Sequence, residues 1–279
     1  MTRYTAQVID ERRKAGQAAF IGYLPVGFPS VSDSIAAARR IVDAGVDIVE
    51  LGMPYSDPTM DGAIIQQATT AALARGVRQA DMFRAVEAVA NTGAAVVIMS
   101  YYNPIFRYGI ERYARDLANA GGAGLITPDL VPDEAAEWIA ASDDYGLERI
   151  FLVAPSSTDE RLAYTVGHTR GFVYAASRMG VTGVQDRVAS GAEDLVARTR
   201  RAGARNVCLG IGVSNADQAR DVAQYADGVI VGSALVRTLI DHDGDTPTAL
   251  DTIERIAAEI ASGAHVLRGD VAVTTTKGN

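Results

Sequence analysis

Phe20-Ile21-Gly22-Tyr23-Leu24 runs straight into Pro25-Val26-Gly27-Phe28-Pro29. The first half is a short apolar run, which reads as a strand buried on both faces. The second half decides between two architectures. An open, doubly wound sheet carries a Gly-rich phosphate-binding turn after its first strand. A turn with two prolines is no such fingerprint. Seven further apolar runs follow, at 48–51, 95–100, 124–127, 149–153, 172–175, 207–210 and 228–231. Amphipathic stretches separate them, for example 32–44, 110–120, 133–145, 159–166 and 216–225, several opening on a capping residue such as Asp133 or Ser214-Asn215. Eight strand–helix units without a long linker predict one closed (β/α)8 barrel over residues 1–267. The glycine-rich turns come late, after the sixth, seventh and eighth runs, where such barrels hold phosphate. Residues 64–90 contain two helical stretches where one would do, so an extra helix is expected after the second strand. Residues 268–279 show no apolar period and are expected to fray.

Composition agrees with a globular protein: 48% of the 279 residues are hydrophobic and 22% charged. Lys plus Arg number 26 against 34 Asp plus Glu, a net charge of −8. Such a chain repels nucleic acid and anionic membranes. The densest basic spots, Arg12-Arg13-Lys14 and 198–205, read as solvated helix faces. One cysteine, Cys208, supports neither a disulfide nor a thiolate metal site and reads as a small core residue. His168, His242 and His265 match no zinc spacing. Asp241-His242-Asp243-Gly244-Asp245 resembles a calcium loop, but its glycine falls early and Thr252 stands where the closing Glu belongs. No metal is therefore expected. Residues 1–17 lack the apolar core of a signal peptide, and the longest near-apolar stretch, 92–99, is too short to span a bilayer. The expected location is cytoplasmic. No nucleophile elbow and no Gly-Lys-Ser/Thr phosphate loop is present.

The second run and its sequel carry the chemistry. In Val46-Asp47-Ile48-Val49-Glu50-Leu51-Gly52, alternation puts Val49 and Leu51 towards the helices and Ile48 and Glu50 inside the barrel. Glu50 then sits near the C-terminal mouth, where barrels keep their active sites. Desolvation there raises a carboxyl group's pKa and suits it to acid–base catalysis. The competing reading is a structural Glu paired with an Arg, but no other strand shows an inward Arg or Lys. The loop Gly52-Met53-Pro54-Tyr55-Ser56-Asp57-Pro58-Thr59-Met60-Asp61-Gly62 follows, with Asp57 and Asp61 as further carboxylates. Asp61 is placed across the mouth from Glu50, although turn chemistry alone accounts for an Asp-Gly pair. Tyr101 and Asp129 end the third and fourth strands. Tyr174 lies on the sixth, ahead of a glycine-rich lid candidate containing Arg178, Thr182 and Gly183. Gly183, Gly210-Ile211-Gly212 and Gly232-Ser233-Ala234 offer backbone N–H groups and a helix start to an anion.

Glu50-Leu51-Gly52-Met53-Pro54-Tyr55-Ser56-Asp57-Pro58 with Asp61-Gly62 resembles the alpha subunit of tryptophan synthase. The resemblance continues in order through Tyr101-Tyr102-Asn103-Pro104, Pro128-Asp129-Leu130, Ser177-Arg178, Gly180-Val181-Thr182-Gly183 and Gly232-Ser233. It implies a TIM barrel with extra helices that cleaves indole-3-glycerol phosphate, without a cofactor, to indole and glyceraldehyde 3-phosphate. It further implies that Glu50 shuttles protons, that Asp61 accepts the indole N–H, that Tyr174 positions Glu50 or substrate, and that Gly183, Gly212, Gly232 and Ser233 hold phosphate. Tyr101, Asp129, Arg178 and Thr182 take substrate or lid positions. A pyridoxal-phosphate beta subunit is the implied partner, in an alpha2-beta2 heterotetramer, docked against Pro54, Asp57, Asn103 and Pro104. Ala63 stands where many members carry Pro, and Phe28 where some carry Asp. A stand-alone lyase and a non-catalytic, phosphate-binding activator of a partner are the alternatives.

Overall fold

The structure, a computed structural model, describes residues 2–176 and 190–269, with only the backbone of Ser190. The apolar runs form parallel strands β1 (Ala19–Pro25), β2 (Ile48–Gly52), β3 (Ala95–Met99), β4 (Gly124–Ile126), β5 (Glu148–Ile150), β6 (Leu152–Val153), β7 (Val173–Ala176), β8 (Val207–Gly210) and β9 (Gly228–Val231). Their order is β5-β4-β3-β2-β1-β9-β8-β7-β6. The two outermost strands are consecutive in the chain, so the sheet curls into a barrel. Eight strands were expected; the fifth is split at Phe151. Its first half pairs with β4 and its second with β7. Tilted barrel strands are staggered, so one strand's lower and upper halves can serve different neighbours. The Phe151 carbonyl still accepts the Tyr174 N–H at 3.1 Å across the break.

Alternation sorts the side chains into two packed sets. Ala19, Ile21, Ile48, Ala95, Val97, Ile126, Ile150, Cys208 and Ile230 fill the barrel interior. Val49, Leu51, Val96, Ile98 and Leu209 meet the surrounding helices. Helix Ala63–Ala74 is the expected extra element, lying between the 52–62 loop and helix Gln79–Ala90. Helix Thr5–Lys14 closes the barrel's N-terminal end, with Val8 and Ile9 in the interior cluster. The buried Glu148 carboxylate accepts the Thr5 and Ala6 N–H groups, each at 3.0 Å, at that helix's N-terminus, where a negative charge suits the helix dipole.

Two sequence expectations need correction. The basic spots are not merely solvated faces: Arg12 pairs with the half-buried Asp47 at 2.5 Å, and Arg200 with the buried Asp227 at 2.9 Å. Segments distant in sequence meet at this end of the barrel, which the local pattern cannot show. Nor does the tail fray from 268. The Arg268 N–H reaches the Gly16 carbonyl at 2.9 Å, its guanidinium reaches the Ala226 carbonyl at 2.6 Å, and the Gly269 N–H reaches Gln224 at 3.2 Å. Residues 270–279 lie outside the described residues. Among the described residues no helix is long and apolar enough to cross a membrane.

Candidate active site

The C-terminal ends of the strands enclose a cavity with about 860 Å³ of empty space, its open mouth included. Tyr23 of β1, Glu50 of β2, Asp61 of the following loop and Tyr174 of β7 line it. Gly210, Gly212, Gly232 and Ser233 form the wall contributed by β8, β9 and their loops. Met60, Ile65, Met99, Leu152, Ile211 and Ile230 supply apolar surface suited to a flat hydrophobic ligand.

Glu50 is 1% exposed, and neither carboxylate oxygen has a hydrogen-bond partner among the described residues. Buried polar atoms are almost always paired, so an unpartnered carboxyl group facing a cavity marks a functional position. Burial, and then the nearby Asp61 charge, push its pKa from 4.5 up to about 8. At neutral pH the group is therefore mostly a neutral acid, the state a proton donor requires.

Asp61 is half-buried, and burial raises its pKa too, opposed by a hydrogen bond from Tyr101. Tyr101 organises the whole loop. Its Oη donates to Asp61 at 3.1 Å and accepts the N–H groups of Thr59 at 3.1 Å and Met60 at 2.9 Å. Tyr55 stacks on the Tyr101 ring with centroids 5.1 Å apart. The Gln66 amide donates to the Asp61 carbonyl at 2.7 Å from the start of helix Ala63–Ala74. Loop and helix thus hold one carboxylate at the mouth.

Glycines make room for two phenols. A Cβ at Gly52 would fall 2.2 Å from Tyr23 Oη, and one at Gly210 would fall 2.5 Å from Tyr174 Oη. Each ring lies across the neighbouring strand's glycine, and burial pushes both phenol pKa values up. Gly212 takes a left-handed φ of 83°, a conformation open to glycine at little cost. Gly232 caps helix Ser233–Asp241, whose first N–H groups have no intrahelical acceptor. The helix start lies on the cavity wall and suits an anion.

Glu50, Asp61, Tyr174, Gly212, Gly232 and Ser233 are therefore brought together as expected from the sequence. Arg178, Thr182 and Gly183 fall outside the described residues. Asp129 is not on the cavity wall. Its carboxylate accepts the Tyr102 N–H at 2.9 and 3.2 Å, capping helix Tyr102–Tyr108. Tyr101 lies behind the wall, hydrogen-bonded to Asp61. Pro54 is buried, Pro104 half-buried, and Asp57 and Asn103 are exposed. The Asn103 amide donates to Tyr55 Oη at 3.1 Å, joining the loops after β2 and β3. Tyr23 is a wall residue that the sequence reading passed over. It is the register partner of Glu50 and sits two positions after the inward Ile21, so alternation along β1 was its signal. Among the described residues no cluster of three His, Cys, Asp or Glu side chains could hold a metal ion.

Residues 9–265 match the family model for the tryptophan synthase alpha chain. The alpha chain of Mycobacterium marinum is 54% identical over 256 residues, covering 92% of this chain and 93% of that one. The alpha chain of Acidothermus cellulolyticus is 56% identical over 251 residues, covering 90% and 93%. A chain in a structure of Mycobacterium tuberculosis tryptophan synthase superposes with a TM-score of 0.88 at 51% identity, covering 95% of this chain and all of that one.

Proposed function

The chain belongs to the tryptophan synthase alpha chain family and catalyses its alpha reaction, cleavage of indole-3-glycerol phosphate in tryptophan biosynthesis; we propose that Glu50 performs both proton transfers of that reaction. A proton must reach carbon 3 of the indole, and another must leave the side-chain hydroxyl. The bond between ring and side chain then breaks. Its electron pair returns to the ring, and the former carbinol becomes the aldehyde of glyceraldehyde 3-phosphate. A carboxyl group that is neutral at pH 7 donates the first proton. As a carboxylate it takes the second, which restores it. The observation that carries this role is the buried, unpartnered Glu50 carboxyl with its pKa near 8.

Asp61 supplies the complementary charge. Protonation at carbon 3 makes the ring cationic, and an aspartate accepting the ring N–H stabilises that cation more than it stabilises the substrate. The Tyr101 hydrogen bond opposes protonation of Asp61 and fixes its direction. Tyr174 borders the same cavity and positions Glu50 or the substrate. Gly212, Gly232 and Ser233 hold the phosphate, together with Gly183, and Arg178 and Thr182 belong to the lid. Asp129 supports the site by capping the helix that follows Tyr101. No cofactor is assigned to this chain; pyridoxal phosphate belongs to the beta subunit.

The partner in this reading is that beta subunit, in an alpha2-beta2 assembly, on the face of Pro54, Asp57, Asn103 and Pro104. Contacts in the structure link this face to the chemistry. Asn103 bonds to Tyr55, Tyr55 stacks on Tyr101, and Tyr101 bonds to Asp61. A partner that engages Asn103 therefore biases the geometry of Asp61. The isolated chain is expected to release indole slowly, and the beta subunit to speed it by about 5–150-fold, the usual range of such coupling. Steady-state indole release, titrated with beta subunit from the same source, tests this. A flat titration, with complex formation confirmed by gel filtration, favours the stand-alone lyase. No indole release with or without partner would leave only a binding role.

A further inference from the structure

Ser233 borders two cavities. Besides the one over Glu50, it lines a second, shared with Ser214, Arg237, Asp241 and His242, between helices Ser233–Asp241 and Thr246–Ala264. Arg237 lies four residues after Ser233 on the same helix and hence on the same face. Helical side chains lean towards the N-terminus, so that of Arg237 extends towards Ser233. Arg237 makes no ion pair or hydrogen bond among the described residues, although Asp241 stands one turn further along. Most other arginines of the described chain are tied to carboxylates or carbonyls, as Arg12, Arg149 and Arg200 are.

The electrostatics of the substrate cavity call for a cation. Among its described lining residues the only carboxylates or cationic groups are Glu50 and Asp61, both acidic, and the chain carries −8 overall. Among the described residues of the wall formed by Gly210, Gly212, Gly232 and Ser233, a phosphate ester meets backbone dipoles and the Ser233 hydroxyl but no cationic side chain.

We propose that Arg237 draws the substrate's phosphate to the start of helix Ser233–Asp241 and holds it there from the helix's second turn, serving binding and not bond cleavage. The inference rests on the reading that the phosphate sits at Gly212, Gly232 and Ser233. Asp241 on the same face weakens the attraction but, unpaired with Arg237, does not cancel it.

The experiment is steady-state indole release by the full chain, with indole affinity measured separately. Arg237→Gln is expected to raise KM for indole-3-glycerol phosphate by about two- to fivefold, the scale of an exposed charge pair, with kcat unchanged. Arg237→Lys keeps KM near wild type. Added salt raises the wild-type KM more than that of Arg237→Gln, because exposed charges are screened. Binding of indole, which has no phosphate, is the same in all three. A comparison with Ser233→Asp separates the two readings. An acidic residue suits the first turn of a helix, so the fold is kept, but the carboxylate repels a phosphate there and raises KM more than about tenfold. If Ser233→Asp acts and Arg237→Gln does not, the role of Arg237 is overturned alone. If Ser233→Asp has no effect, the phosphate reading itself fails. Equal weakening of indole and substrate by Arg237→Gln, or no rescue by Lys, would show a structural role and overturn the proposal.

Discussion

Glu50→Gln is expected to leave the barrel intact and to lower kcat by about 10³-fold or more. Positioned acid–base groups contribute about 10²–10⁴-fold for one transfer, and Glu50 serves two. The amide is nearly isosteric with the neutral acid that occupies the site at pH 7, so packing against Tyr23 and Val97, its register neighbours, is preserved. Stability gives a second readout of opposite sign. The folded pKa of Glu50, about 8, lies above its ordinary value of 4.5. Between these values the folded state holds a proton that the unfolded state has released. The group's contribution is thus fully present below pH 4.5 and is lost as pH rises through 8. Each unit of the rise corresponds to about 1.4 kcal/mol, so at pH 9 the ionised carboxylate costs several kcal/mol. Gln does not ionise. The variant should therefore melt close to wild type at pH 5 and clearly above it at pH 9. More than half of wild-type activity in Glu50→Gln, or an equal melting difference at both pH values, contradicts the assignment.

Asp61→Asn is expected to lower kcat by about 10²–10³-fold, with KM changed only a few-fold. Removing a preorganised electrostatic group typically costs that much, and the loss falls on the charged intermediate state, not on the neutral ring of the substrate. Tyr101 should keep the loop in place, because its bonds to the Thr59 and Met60 N–H groups do not involve the Asp61 side chain. Asp61 also contributes to the raised pKa of Glu50. Removing its charge moves the alkaline fall of kcat/KM to lower pH, so the residual activity of Asp61→Asn should decline earlier than that of wild type. A raised KM with unchanged kcat would reduce Asp61 to a positioning role.

The features legible in the sequence were those set by local periodicity. Alternation placed Glu50 inside and Val49 outside, and the number and spacing of apolar runs implied a closed barrel. Late glycines, followed by a helix start at Ser233, pointed to the stretch that forms the cavity wall after β8 and β9. What escaped depends on closure of the fold. The split at Phe151 follows from stagger between neighbours that only the closed barrel defines. Asp129 looked like a mouth carboxylate because it ends a strand, but its partner is the N–H of Tyr102, 27 residues earlier. Arg12 and Arg200 looked like solvent-facing charges until the strand ends placed Asp47 and Asp227 beside them. Tyr23 was within reach of the same alternation that located Glu50, and was obscured by the apolar run around it.

The central claim is that Glu50 is a neutral carboxylic acid at the pH where the enzyme works. Infrared difference spectroscopy on chain labelled with 13C-glutamate tests it most directly, using Glu50→Gln to identify the Glu50 band. The account predicts that the protonated C=O stretch of Glu50 persists through pH 7 and disappears with a midpoint near 8. A midpoint near the ordinary value of 4.5, with the group already ionised at pH 7, would contradict it.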